Sequence, residues 1–196
     1  MKSLCFLLAL LLASSLAHSA QYKIKPENSQ LKWLGKKVTG QHEGTIKVKK
    51  GFVDFTKGQG SVEVDMTSID VTDLEGDWKK KLDGLLRSDD FFSVKNHNTA
   101  KLKMNKIKFA GKAQYKVEGD LTIKGVTKPV SFTATRQNNK FKGFLTFDRT
   151  DFGIKYKSGK FFEDLGDKLI YDDVKLSFEV TLEDFKPMDK AKKKSK

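Results

Sequence analysis

Few residues in this chain are of a type, or at a spacing, that would support catalysis. Beyond the N-terminal leader the histidines are His42 and His97, and the sole cysteine is Cys5, inside that leader. A zinc site needs three or four convergent ligands. Two histidines without a thiolate do not supply them, so both read as loop or surface residues. No Gly-x-Ser-x-Gly elbow is present for a serine nucleophile. Residues 153–161, GIKYKSGKF, share glycines and a lysine with phosphate loops. Their spacing is wrong by one, and Phe161 stands where Ser or Thr is required. Asp89-Asp90 and Glu163-Asp164 are adjacent acids of the kind that cap or solvate turns. The chain therefore reads as a non-enzyme with no catalytic residues, no metal ligands and no cofactor. An enzyme acting on a lipid-like substrate is the catalytic alternative. What the residues do offer is apolar bulk, with fifteen phenylalanines in all.

The elements that would position that bulk are organised around residues 70–94, DVTDLEGDWKKKLDGLLRSDDFFSV. Leu74, Trp78, Leu82 and Leu85 recur at helical spacing and define one apolar stripe. Thr72 and Glu75 have the spacing of a capping box, with Asp73 adding negative charge at the start. The stripe runs into Phe91-Phe92. A lone amphipathic helix in a strand-rich chain must bury its stripe against the sheet, so these two rings are expected near an apolar interior. A surface crossover helix with ordinary core aromatics is the alternative.

The strands alternate. Leu31 and Trp33 share a face with Gly35, and Ile46 and Val48 alternate with lysines before a break at Gly51. Val62, Val64 and Met66 face away from Ser61, Glu63 and Asp65. Leu102 and Met104 are in one phase, Ile107 and Phe109 in the other, and the slip predicts a β-bulge near Asn105. Tyr115 and Val117 precede an expected turn near Gly119, followed by Leu121 and Ile123. Residues 125–129, GVTKP, read as a turn, with Val130, Phe132 and Ala134 beginning the next strand. Asn138-Asn139 reads as a hairpin turn. Last come Val174, Leu176, Phe178, Val180 and Leu182, alternating without a miss against Lys175, Ser177, Glu179, Thr181 and Glu183. About eight antiparallel strands with one apolar face require a sandwich or an up-and-down barrel, and a single helix able to cover one mouth favours the barrel. The fold class expected is mainly β: one antiparallel lipocalin-like barrel with one main α-helix. A barrel of this strand number can enclose a small apolar ligand.

The chain opens MKSLCFLLALLLASSLAHSA: a basic start, a short apolar run and a small-residue region. That reads as a secretory signal peptide over residues 1–19 and places the protein in the periplasm or outside the cell. The mature chain then has no cysteine and must hold together by packing alone. Residues 20–185 are enough for one domain with a substantial core. Residues 186–196, KPMDKAKKKSK, form a lysine-rich flexible tail. Of the formal charge of +13, the folded body keeps +7 after the leader and the tail are removed. Lysines coating the wet face of the sheet explain most of that. The tail could also make transient contact with anionic lipid.

Four motifs in order resemble one family. LTIKGVTKPV at 121–130 closely resembles the signature hairpin of the YceI-like polyisoprenoid-binding family, and LRSDDFF at 86–92 resembles its motif after the helix. WLGKKVTGQHEGT at 33–45 and DRTDFGIKYKSGKFFEDLGDKLI at 148–170 are similar to a bacterial subgroup. The similarity runs from about Tyr22 to Leu182. It implies a lipocalin-like barrel, export, and a long apolar tunnel holding an isoprenoid lipid such as a polyprenol or quinone, without implying a catalytic activity. Leu85 stands where many relatives have histidine, and His97-Asn98 occupies a region where a proline is common.

The candidate tunnel residues are Trp33, Phe91, Phe92, Met104, Phe109, Phe132, Phe147, Phe152, Phe161 and Phe162. Each buried methylene of an isoprenoid tail is worth about 0.8 kcal/mol against such a wall. The expected function is sequestration or carriage of an isoprenoid or other long amphiphilic lipid, as a monomer or homodimer and without nucleic acid. A filled barrel acting through its basic surface on acidic polymers or anionic lipid is the alternative.

Overall fold

The computed structural model describes residues 21–185, so the expected signal peptide and lysine-rich tail lie outside the described residues. The strands are β1 (Gln21–Lys23), β2 (Gln30–Lys37), β3 (Gly40–Asp54), β4 (Gln59–Val71), β5 (Thr99–Gly111), β6 (Gln114–Ile123), β7 (Val126–Gln137), β8 (Lys140–Asp148) and β9 (Ile170–Thr181), with helix α1 (Gly76–Arg87) between β4 and β5. All pairings are antiparallel. The order is β1-β3-β2-β9-β8-β7-β6-β5-β4, and β3 also pairs with β4. That last pairing closes β2 to β9 into an eight-stranded barrel. β1 lies outside the closure, on the last residues of β3.

Closure places every inward side chain against the others, which is why period-two alternation is so clear here. The four alternating apolar residues of β9, Val174, Leu176, Phe178 and Val180, and its neighbour Leu182 face inward as expected. Outside, lysines pair with carboxylates across strands. Lys140 and Lys142 meet Glu179 at 2.5 and 2.9 Å, and Lys106 meets Glu118 at 2.9 Å. The bulge expected near Asn105 is present, as a register shift between Met104 and Lys106.

That bulge also corrects the turn expected near Gly119. β6 runs straight through Gly119, which pairs with Met104. A Cβ there would lie 2.3 Å from the Lys103 carbonyl oxygen. The glycine serves a close approach beside the bulge, not a reversal. The reversal comes at Lys124 and Gly125, both at positive φ (52° and 76°), so β7 starts at Val126 and Pro129 lies within it, opposite Asp120. The Asn138-Asn139 hairpin turn is present, with Asn138 at φ 58°. Gly51 does not interrupt β3, whose irregularities lie at 45–47 and 48–50.

The barrel is incomplete at one end in two places. β5 pairs with β4 only as far as Asp65 and Thr99, leaving residues 66–71 of β4 without a strand on that side. β8 pairs with β7 only between Ala134–Gln137 and Lys140–Gly143, leaving the first half of β7 bare. Exposed backbone groups at such seams must find partners. Helix α1 supplies them at the first seam. The Asp83 carboxylate accepts from Val71 N at 3.0 Å, Lys79 Nζ donates to the Val71 carbonyl at 2.5 Å, and Arg87 Nη2 donates to the Ile69 carbonyl.

These bonds turn the helix part-way from the expected orientation: Leu74, Leu82 and Leu85 still pack against the core, but Trp78 does not. Its buried residues are Asp83 and Leu86, while Leu74, Leu82 and Leu85 are half-buried and Trp78 is 71 % exposed. The polar demand of the splayed β4 edge, more than the apolar stripe, sets which face turns inward. The capping box also does not form. The helix begins after Glu75, which is extended and makes no side-chain cap. Thr72 and Asp73 are held by β3 instead: Thr72 N donates to the Glu43 carbonyl, and the Asp73 carboxylate accepts from Glu43 N and pairs with His42 Nδ1 at 2.8 Å.

Candidate functional site

At the second seam a short segment after β8 folds into the gap. Arg149, Phe152 and Ile154 are fully buried there. Arg149 donates through Nη1 to the Ile154 carbonyl (2.8 Å), through Nη2 to the Ile170 carbonyl (2.9 Å) and through Nε to the Tyr171 carbonyl (3.3 Å). Its charge is met by Asp172 at 3.1 Å. Burial pushes the guanidinium pKa down, against the pull of Asp172 and Asp148. Ser158, also buried, donates to the second oxygen of Asp172 at 3.0 Å. A guanidinium with three carbonyls and a carboxylate has little donor capacity left for a ligand. Arg149 is a staple that pins the 149–158 loop over the seam.

Between the two seams and the opposite end runs a cavity with a volume of about 210 Å³. A single water needs on the order of 10–15 Å³ on this measure, so the space is more than a packing defect. Its wall exposes no polar surface. Of the candidate tunnel residues, Trp33, Phe91, Phe92, Met104, Phe132 and Phe147 line it. Phe91 and Phe92 meet edge to face at 5.1 Å, just beyond α1, as Phe132 does with Phe178 at 5.4 Å.

The other four candidates lie elsewhere. Phe109 is 64 % exposed, because β5 runs past the start of β4 and has no neighbour on that side beyond Ile107. Phe152 is buried, but it plugs the β7–β8 seam and packs on Phe147 from outside the cavity, at 5.6 Å. Phe161 and Phe162 sit in a turn closed on the Ser158 carbonyl, in the long connection before β9, and are exposed. That connection contains no strand to turn them inward.

Sequence reasoning passed over Phe55, Tyr115, Phe141 and Phe178 as ligand residues, yet all four line the cavity. Phe178 and Phe141 could have been found, since both alternate with polar or lysine neighbours in their strands. Phe55 could not, because it follows β3 and is placed by tertiary contacts alone. Phe55, Tyr115 and Phe141 join Tyr22 and Phe185 in a ring cluster across the end away from α1, with centroids 4.9–6.0 Å apart.

Two glycines shape the wall in opposite ways. At Gly44 a Cβ would fall 1.9 Å from the Asp70 carbonyl oxygen and 2.5 Å from the Trp33 ring. The indole lies against bare backbone there, and its Nε1 is buried without a hydrogen-bond partner among the described residues. At Gly35, which also lines the cavity, a Cβ would meet nothing within 4 Å. Gly35 leaves space that any side chain would fill.

The YceI-like domain family matches residues 22–182. The chain belongs to the YceI-like family. A UPF0312 protein of Photorhabdus laumondii is 31 % identical over 185 residues, covering 87 % of this chain and 91 % of its own. One from Pseudomonas putida is 32 % identical over 161 residues, covering 74 % and 82 %. Among solved structures, BcnA of Burkholderia cenocepacia superposes with a TM-score of 0.62 at 25 % identity, covering 80 % of this chain and 98 % of that one. A polyisoprenoid-binding domain from Saccharophagus degradans, implicated in plant cell wall breakdown, shares the fold with a TM-score of 0.60 at 16 % identity, covering 83 % and 97 %. The lipocalin-like antiparallel barrel with one main helix is thus a YceI-like barrel.

Proposed function

We propose that this YceI-like barrel sequesters or carries an isoprenoid lipid, a polyprenol or an isoprenoid quinone, with its chain in the cavity. The supporting observation is a sizeable cavity whose wall is apolar throughout. A ligand with polar groups along its length would leave them unpaired there, at a cost of roughly 1–3 kcal/mol each. A hydrocarbon chain loses nothing, and each buried methylene gains about 0.8 kcal/mol. Several isoprene units would offset an association cost of about 4–15 kcal/mol. The polar head would sit at the helix end, where Asp89, Ser93, His97 and Lys124 gather around the loops. The aromatic end offers rings instead. No chemical step is needed for this role, so the protein acts as a binding protein and not as an enzyme, with no cofactor beyond its lipid. Its leader directs it to the periplasm or beyond.

Native mass spectrometry of the mature protein, followed by organic extraction, tests this reading. A stoichiometric isoprenoid is the expected result. A barrel that neither retains lipid nor takes up added polyprenol or quinone would contradict it.

A further inference from the structure

Eight large apolar residues are strongly exposed among the described residues, and six of them lie at the helix end of the barrel: Val38, Trp78, Val126, Phe161, Phe162 and Tyr171. They come from separate pieces of chain: the β2–β3 turn, the start of β7, α1, the long connection before β9, and the start of β9 itself. A soluble surface scatters such residues singly. Gathering them at one end marks a place of contact.

Beside Trp78 the half-buried Leu74, Leu82 and Leu85 continue the apolar face into a shallow groove against Tyr156, rimmed by Lys37, Lys81 and Lys157. Among the described residues none of these three lysines has a carboxylate within salt-bridge distance. Lys81 instead lies 4.8 Å from the Trp78 ring and Lys157 5.1 Å from that of Tyr156. Acids flank the groove: Asp77 precedes Trp78, the His42–Asp73 pair lies beside it, and Glu163, Asp164 and Asp167 follow Phe162, so the unpaired positive charge is confined to these three lysines of the groove. No described helix is long and apolar enough to cross a membrane.

We propose that the helix end is a docking face for an anionic lipid bilayer. The tryptophan and the two phenylalanines would rest among the headgroups, and the three lysines would meet lipid phosphates. Aromatic side chains and lysine stems suit this boundary because each has an apolar body and a polar or charged tip. Neighbouring lysines add attraction to anionic lipid. Both barrel seams lie at this same end, covered by α1 and by the 149–158 loop, so docking would bring the two covers of the cavity to the membrane. The tunnel reading supplies that purpose, but the face stands on different residues.

The test uses the full mature chain, so that the lysine-rich tail is constant, and isoprenoid-free vesicles of phosphatidylcholine with phosphatidylglycerol. Flotation at low salt should show binding, and brominated lipids should quench Trp78 fluorescence. Combined Trp78→Ser, Phe161→Ser and Phe162→Ser substitutions should weaken binding at least about tenfold. Combined Lys37→Glu, Lys81→Glu and Lys157→Glu should do the same on anionic vesicles and only slightly on pure phosphatidylcholine. Lys37 and Lys157 are half-buried and the other four side chains are exposed, and unchanged melting would confirm that the variants fold. Undiminished binding by the serine variant would overturn the proposal and assign the contact to the tail. No binding by the wild type would also overturn it and leave the face to a protein partner. Polyprenol uptake from detergent by the serine variant reads the tunnel separately.

Discussion

The two ends of this barrel are closed by different physics. At the aromatic end Tyr22, Phe55, Tyr115, Phe141 and Phe185 stack across the opening, and the closure is apolar. At the helix end two pairs of strands part: Asp83, Lys79 and Arg87 tie down the freed end of β4, and Arg149 pins the loop that covers the other seam to the start of β9. Ring packing is non-directional and tolerates small shifts. A buried hydrogen-bonded charge is specific in geometry and costly to disturb. The first suits a permanent floor. The second suits an end where loops must keep a set arrangement around an opening.

Substitutions can break this comparison. The largest effect should come from Arg149→Ala, which strands Asp172 and three carbonyls. Urea unfolding should show a loss of about 3–5 kcal/mol, and Arg149→Lys should recover only part of it because a lysine lacks the fork. Close behind is Phe141→Ala at the aromatic end, with a loss of about 3–4 kcal/mol. Its loss should be insensitive to salt and pH, unlike that at Arg149. Asp83→Ala should cost about 1–3 kcal/mol, and hydrogen exchange should show the loss as faster opening of residues 76–87 and the end of β4. A comparable loss of protection at the aromatic end would mean that the two closures are not independent.

The smallest effect belongs to Glu179 on the outer wall, whose pKa the hydrogen bonds from Lys140 and Lys142 pull down to about 2. Because the folded value lies below the unfolded one, its contribution is complete above the ordinary glutamate range. It is lost as pH falls towards 2. The melting temperature of Glu179→Gln should therefore lie slightly below wild type at pH 6 and converge with it near pH 2.

The same contrast explains what could be read from the sequence. The strands were legible because closure gives each one dry face and one wet face, and β9 shows both without a miss. The bulge at Asn105 was legible because it shifts that phase. The direction of α1 was not, since its inward face is chosen by orphan groups on β4 that exist only once β5 has diverged. Trp78 was therefore read as buried and is exposed. Gly119 was read as a turn because a glycine needed for close approach looks the same in sequence as one needed for a reversal. Phe109 was read into the cavity from the strand phase after the bulge, and it lies past the start of β4, where the wall on that side has ended; Phe161 and Phe162 were read inward from residue type, and their connection has no strand. The assembly of the aromatic floor was not legible, although Tyr115 and Phe141 follow their strand patterns, because its five rings come from five separated segments.

The central claim is that the cavity is held open for a hydrocarbon chain, and Gly35 tests it most directly. Gly35→Leu places a side chain where nothing lies within 4 Å of the added Cβ, on the same inward face as Leu31 and Trp33. Wild type and Gly35→Leu would be compared by native mass spectrometry after exposure to a polyprenol, with melting measured in parallel. The account predicts that the variant folds with unchanged or higher stability and loses lipid uptake. A variant that folds normally and binds lipid as well as wild type would contradict it.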